Sequence, residues 1–125
     1  GGVTHGPTGE KIFTRKINTR MATRSLHAVL NRKVAEGELV VLDTISIPDG
    51  KTKHGVAFLK ELADANVIAG IGTVLVLTDK GDLATARALR NIVRVSVMEA
   101  RNANTLDLLE HKYVLISETA LHGLA

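Results

Sequence analysis

GTVLVLTDKGDLATARALRNIVRVSV, Gly72 to Val97, reads as a strand, a turn, a short helix and a second strand. TVLVLT (Thr73–Thr78) is an unbroken apolar run, the pattern of a strand covered on both faces. DKGD supplies turn chemistry, and Leu83 to Asn91 is an Ala/Arg/Leu helix. VRVSV (Val93–Val97) alternates, which predicts a strand with one more polar face. A helix between two strands is the crossover that parallel pairing requires.

The same grammar extends both ways. LVVL (Leu39–Leu42) is a second strand of the doubly covered kind, followed by Asp43 and the turn IPDGK (Ile47–Lys51). A helix is predicted over Thr52–Ala65, with Val56, Leu59 and Ala63 inward beside Phe58 and Leu62. Thr105–Glu110 is a short helix, YVLIS (Tyr113–Ser117) the fourth strand, and Glu118–Leu124 a last helical turn or two. Upstream, Asn18 or Thr19 suits the N-cap of a helix running to about Glu36, with Gly37 as its stop. The expected fold class is α/β: a small, mostly parallel four-stranded sheet with helices on both faces and right-handed crossovers. Residues 1–17 show no period and carry Gly/Pro punctuation, so they form an extended opening segment ahead of one domain at 18–125.

The 125 residues are 45% hydrophobic and 23% charged, enough for one buried core. Aromatics are only 2% and Trp is absent, so the core is aliphatic and base-stacking platforms are scarce. With no Cys there is no disulfide, thiolate zinc site or thiol nucleophile, and a reducing compartment is permitted. Apolar runs such as VIAGIG with TVLVL are too short for a membrane span, and no secretory signal pattern is visible. There is no initiator Met, which is consistent with a longer parent chain.

Net charge is +3, but it is unevenly spread. Residues 1–33 hold seven Lys/Arg and one acid, net +6, and residues 34–125 net −3. On the first helix Lys16 (should the turn start early), Arg20, Arg24, His27 and Asn31 are spaced by four, four, three and four and share one face. Ala22, Leu26 and Val29 oppose them, flanked by Met21, Leu30 and Val34. A basic free face over an apolar buried one points to a polyanionic partner. The competing reading is an ordinary solvated surface.

Other candidate chemistry is weaker. GPTGEK (Gly6–Lys11) lacks P-loop spacing and a preceding strand, and the glycines of GIGTVLVLTDKG precede their strand, the wrong side for a dinucleotide fingerprint. Asp43 and Asp79 stand just past strand ends, where open parallel sheets place ligand sites. They could hold Mg²⁺ or act in acid–base work in a small α/β enzyme or nucleotide-binding domain, though Asp is also a common turn and cap residue. Five histidines (His5, His27, His54, His111 and His122) show no metal-ligand spacing, so neither a metal nor another cofactor is expected. Lys51 and Lys53 in KTKHG sit at a helix start, which cations disfavour unless a phosphate joins them.

GGVTHGP, KINTRMATRSLHAVLNRKVAEGELVVLD, the GKTK turn, LVLTD, ARALRNI and NTLDLLEHKYVLI resemble, in order and spacing, the bacterial-type large ribosomal subunit protein four (L-four) family, over essentially the whole chain. The resemblance implies a three-layer α/β/α sandwich that binds large-subunit rRNA early in assembly, in the cytoplasm or an organellar ribosome, without catalysis. It implies neighbouring ribosomal proteins as partners and, because some bacterial members repress their own operon, the protein's own mRNA leader. Family members carry an N-terminal strand and a long extended loop ahead of the glycine-rich segment, and neither is in this sequence. The proline usual after RNI is also missing, and MEARNAN replaces a glycine-bearing turn. On this reading the RNA-binding residues are His5, Lys11, Arg15, Lys16, Arg20, Arg24, His27 and Asn31, with Lys51 and Lys53 as weaker candidates. A regulatory RNA-binding domain would share the same basic face.

Overall fold

Each apolar strand needs two neighbours or a covering helix, and the helices between strands leave only parallel pairing open. The computed structural model describes residues 2–69 and 72–124. Gly1 of the opening segment, Gly70 and Ile71 of the VIAGIG run, and Ala125 lie outside the described residues. The elements are α1 (Thr19–Ala35), β1 (Leu39–Leu42), α2 (Thr52–Asp64), β2 (Val74–Thr78), α3 (Leu83–Leu89), β3 (Val95–Glu99), α4 (Thr105–Glu110), β4 (Tyr113–Ser117) and α5 (Glu118–Leu121). A single 3₁₀ turn, Ala100–Asn102, precedes α4.

The sheet is all-parallel in the order β1-β4-β2-β3. Strand alternation divides its side chains between two cores. Val74, Val76, Tyr113 and Leu115 face Phe58, Leu59 and Leu62 of α2 and Ala88 and Leu89 of α3. Leu75, Leu77, Val114 and Ile116 face Leu26, Val29 and Leu30 of α1, Leu108 of α4 and Ala120 of α5. The result is three layers, α2–α3 below the sheet and α1–α4–α5 above it.

Several local expectations are corrected. LVVL is not covered on both faces: β1 is an edge strand and Val41 is 48% exposed, because no described helix covers that end of it. The third strand begins at Val95, two residues later than expected. Arg94 adopts φ 65° and its carbonyl accepts the Val74 N–H, so Val93–Arg94 is a turn feeding the strand. On α1, Met21, Ala22 and Val34 are exposed, leaving Leu26, Val29 and Leu30 to pack. On α2, Val56 and Ala63 are exposed, and the residue buried in their stead is Gly55.

Gly55 is buried because α2 and α3 touch there backbone to backbone. A Cβ at Gly55 would lie 2.9 Å from the Ala88 carbonyl oxygen and 3.0 Å from Leu89 Cδ2. Overpacking of this kind costs about 1–3 kcal/mol, against about 1 kcal/mol gained by replacing a helical glycine. Gly55→Ala is therefore expected to lower the urea midpoint, by up to about 2 kcal/mol net. An unchanged midpoint would mean that the two helices are not this close.

Candidate nucleic-acid interface

The α1 segment has no internal Gly or Pro and is rich in Ala, Leu, Met and Arg, good helix formers. Asn18 takes the N-cap position in extended conformation without a side-chain cap bond. The C-terminus closes in a Schellman turn, with the Glu38 N–H on the Lys33 carbonyl at 2.9 Å and the Gly37 N–H on the Val34 carbonyl at 3.1 Å. Gly37 has φ 68°, which the turn demands and glycine adopts without strain.

This frame presents one side of α1 to solvent. Arg20, Arg24, His27 and Asn31 are all exposed, and among the described residues none of the three basic ones is in an ion pair. Thr19, Arg20, Thr23 and Arg24 line an open groove of about 540 Å³. The Thr23 hydroxyl donates to the Thr19 carbonyl at 3.0 Å, leaving the arginines as the free donors of that groove. No acid stands in the first turn of α1. Two arginines a turn apart near a helix N-terminus repel each other and oppose the macrodipole. An arriving anion would offset both costs.

Residues 2–17 lead into this groove without helix or strand, and every side chain is exposed. Lys11, Arg15 and Lys16 lie here with His5, and the Lys11 ammonium rests 5.3 Å from the Phe13 ring centre. Lys16 falls outside the helix, which starts at Thr19, so it belongs to this strap and not to the helical stripe. Ile12, Phe13, Ile17 and Met21 are exposed alongside.

The structure does not bring all ten candidates together. Lys51 and Lys53 are exposed but sit at the start of α2, below the sheet, whereas α1 packs above it. Two cations of the opening third are also spent internally. Arg32 pairs with Glu36 at 2.6 Å. Lys33 is buried, its ammonium donating to Glu38 Oε2 (2.7 Å) and to the carbonyls of His111 (2.7 Å) and Lys112 (2.9 Å). Its role was readable: Lys33 is four residues after Val29 and three after Leu30, on the apolar stripe.

Asp43 and Asp79 do not form a pair. Asp43 is exposed past edge strand β1. Asp79, past central β2, accepts from Thr119 Oγ1 at 2.6 Å and from Ser117 Oγ at 3.4 Å, tying β2 to the start of α5. The ribosomal reading expected no concavity at that edge. One exists nonetheless, a cleft of about 260 Å³ bordered by Asp79, Lys80, Glu99, Arg101 and Thr119. Among the described residues no three His, Asp or Glu side chains converge on a metal-sized site.

Within that cleft Glu99 accepts the Gly81 backbone N–H at 3.3 Å and the Arg101 Nε–H at 2.6 Å. These bonds, the backbone one foremost, hold its carboxyl below the usual carboxylate range. A carboxyl whose folded pKa is depressed lends stability that is complete above the unfolded value, near pH 4–5, and lost as pH falls through the lower folded value. Glu99→Gln should therefore flatten the acid limb of the melting temperature between about pH 5 and pH 3. An unaltered acid limb would show that these bonds do not persist in solution.

Comparison with known proteins agrees with this architecture. The whole chain, residues 1–125, matches the family model described as Ribosomal protein L4/L1 family. It is 33% identical over 121 residues to the large ribosomal subunit protein uL4 of Bordetella bronchiseptica, covering 97% of this chain and 56% of that protein. The uL4 of Helicobacter hepaticus is 31% identical over 118 residues, 94% of this chain and 54% of that protein. The uL4 of Brevibacillus brevis is 33% identical over 121 residues, 97% of this chain and 55% of that protein. The chain thus spans about half the length of the curated relatives it matches. A match along its full length, on a fold whose outward helix face is cationic and unpaired, leads to one conclusion: this chain belongs to the ribosomal protein L4/L1 family.

Proposed function

We propose that the chain is a structural, non-catalytic constituent of the large ribosomal subunit and binds its rRNA through the residue 2–17 strap and the outer face of α1. The observation that supports this most is the exposed, unpaired run of Lys11, Arg15, Lys16, Arg20 and Arg24 leading into the α1 groove. His5, His27 and Asn31 add donors at its margins. The contacts are to phosphate and sugar, reading RNA shape rather than base sequence, because the surface offers cations and few aromatic platforms. The place of action is then the ribosome, in the cytoplasm, with other ribosomal proteins as neighbours. Exposed Glu110 and partly exposed Asp107 on α4 suit a basic neighbour.

Neutralising about five phosphates gives a log affinity that falls with log salt at a slope of roughly −3.5 to −4.5. Binding of the chain to large-subunit rRNA fragments, titrated from low to moderate salt, measures this directly. Co-sedimentation with large subunits in a salt gradient places it in the particle. A flat salt dependence, or a chain that stays at the top of the gradient, would refute the assignment.

A further inference from the structure

We propose that the α2–α3 layer carries a second RNA-backbone surface, built on Lys51, Lys53, Arg87 and Arg90, so that the chain bridges two RNA segments on opposite faces of its sheet. This rests on the RNA-binding reading above and extends it to the other layer.

Charge beyond residue 33 is itself divided by layer. Residues 48–69 and 80–94, which form the α2–α3 side and its turns, hold seven Lys/Arg and four acids. The other residues after 33 hold two Lys/Arg and eight acids. The net −3 of that part of the sequence thus conceals a positive underside. Two of the four acids on the underside are already engaged. Asp49 faces His54 Nδ1 at 3.2 Å, and Asp82 accepts the Thr85 N–H at 3.1 Å as the α3 cap. Lys51, Lys53, Arg87 and Arg90 are exposed, and among the described residues none of them is in an ion pair.

These four cations are held together by packing. The turn before α2 is clamped onto α3: the Ile47 N–H donates to Thr85 Oγ1 at 3.1 Å, both groups buried. Gly50, at φ 59°, lies so near that a Cβ there would be 3.6 Å from Arg87 Cδ and 3.5 Å from the Ala84 carbonyl. Lys51 therefore stands next to Arg87, Arg90 follows three residues on, and the Gly55 contact holds the first turn of α2, with Lys53, against α3. Cations gathered from two elements without acids of their own carry a repulsion that a row of phosphates offsets. The α1 groove and this ledge point away from each other across the sheet, so one straight duplex cannot lie on both.

The test uses the full chain with a 20-base-pair RNA duplex, labelled with a donor dye in one pool and an acceptor in another, at low salt. Two duplexes per chain and energy transfer between them are expected. Lys51→Glu/Arg87→Glu/Arg90→Glu should leave one duplex bound, abolish the transfer, and reduce the second-site affinity at least tenfold. Arg20→Glu/Arg24→Glu should also leave one duplex, bound through the ledge. Circular-dichroism melts check folding, and the corresponding alanine variants serve where the Glu versions do not fold. One duplex on the native chain, lost with Arg20→Glu/Arg24→Glu and untouched by the ledge variant, overturns the second surface but leaves the first standing. Binding indifferent to both variants overturns both. Capture of polyglutamate by the ledge with duplex stoichiometry unchanged would make the partner an acidic protein and also overturn the inference.

Discussion

Arg20→Glu combined with Arg24→Glu is expected to weaken binding to a large-subunit rRNA fragment by about 10²–10⁴-fold while leaving the fold intact. Each arginine is exposed and free of intrachain acids, so each has its donors available for phosphate. Hydrogen bonds to charged groups are worth about 1.5–3 kcal/mol each, so losing two removes about 3–6 kcal/mol. The salt slope should shrink in step, by roughly 1.4–1.8 for two phosphates released. Stability should move the other way. Both residues lie in the first half of α1, where no acid occupies the first turn, and carboxylates there complement the macrodipole. The melting midpoint should hold or rise slightly. Affinity within a factor of two of the native chain would show that RNA is gripped elsewhere, and a collapsed melt would show that the arginines are structural.

Lys33→Ala has the opposite signature, a large loss of stability with no direct effect on RNA affinity. The Lys33 ammonium is the shared donor for Glu38 and for two carbonyls that end α4 and open β4. Its side chain is 10% exposed and that of Glu38 19%. Removing one partner of a fully buried pair costs about 3–5 kcal/mol; the partial access of water to Glu38 brings the expectation to about 2–4 kcal/mol. For a domain whose total stability is of the order of 5–15 kcal/mol this is a large fraction. Glu38→Gln in the Lys33→Ala background should recover part of it, since no uncompensated carboxylate then remains. Denaturant titrations of the two singles and the double supply the cycle. A Lys33→Ala cost below about 1 kcal/mol would mean that the three bonds are not made in solution.

Lys33 also shows how far the sequence could be read. Counting charge put it among the cations of the opening third, while helical spacing put it on the buried stripe, and packing followed the spacing. Gly55 is the converse case. Its apolar neighbours Val56 and Ala63 looked like the inward residues of α2, but the approach of α3 selected the position with no side chain. Arg94 hid the start of β3, because nothing in the residue type announces a left-handed φ in an arginine. On the candidate interface, Arg20, Arg24, His27 and Asn31 were legible as one exposed face because their spacing is local. Lys51 and Lys53 were grouped with them by charge alone, and that grouping the fold undid.

Taken alone, the sequence determined the α/β class, the sites of all four strands to within two residues, and the polarity of α1. Those features depend on periods of 2 and 3.6, which neighbouring residues carry among themselves. Tertiary structure alone decided the order β1-β4-β2-β3, the side of the sheet that each helix covers, and hence which cations share a surface. Four aliphatic strands of similar composition carry no label for their neighbours; pairing and layering are chosen by how distant side chains fill a common core.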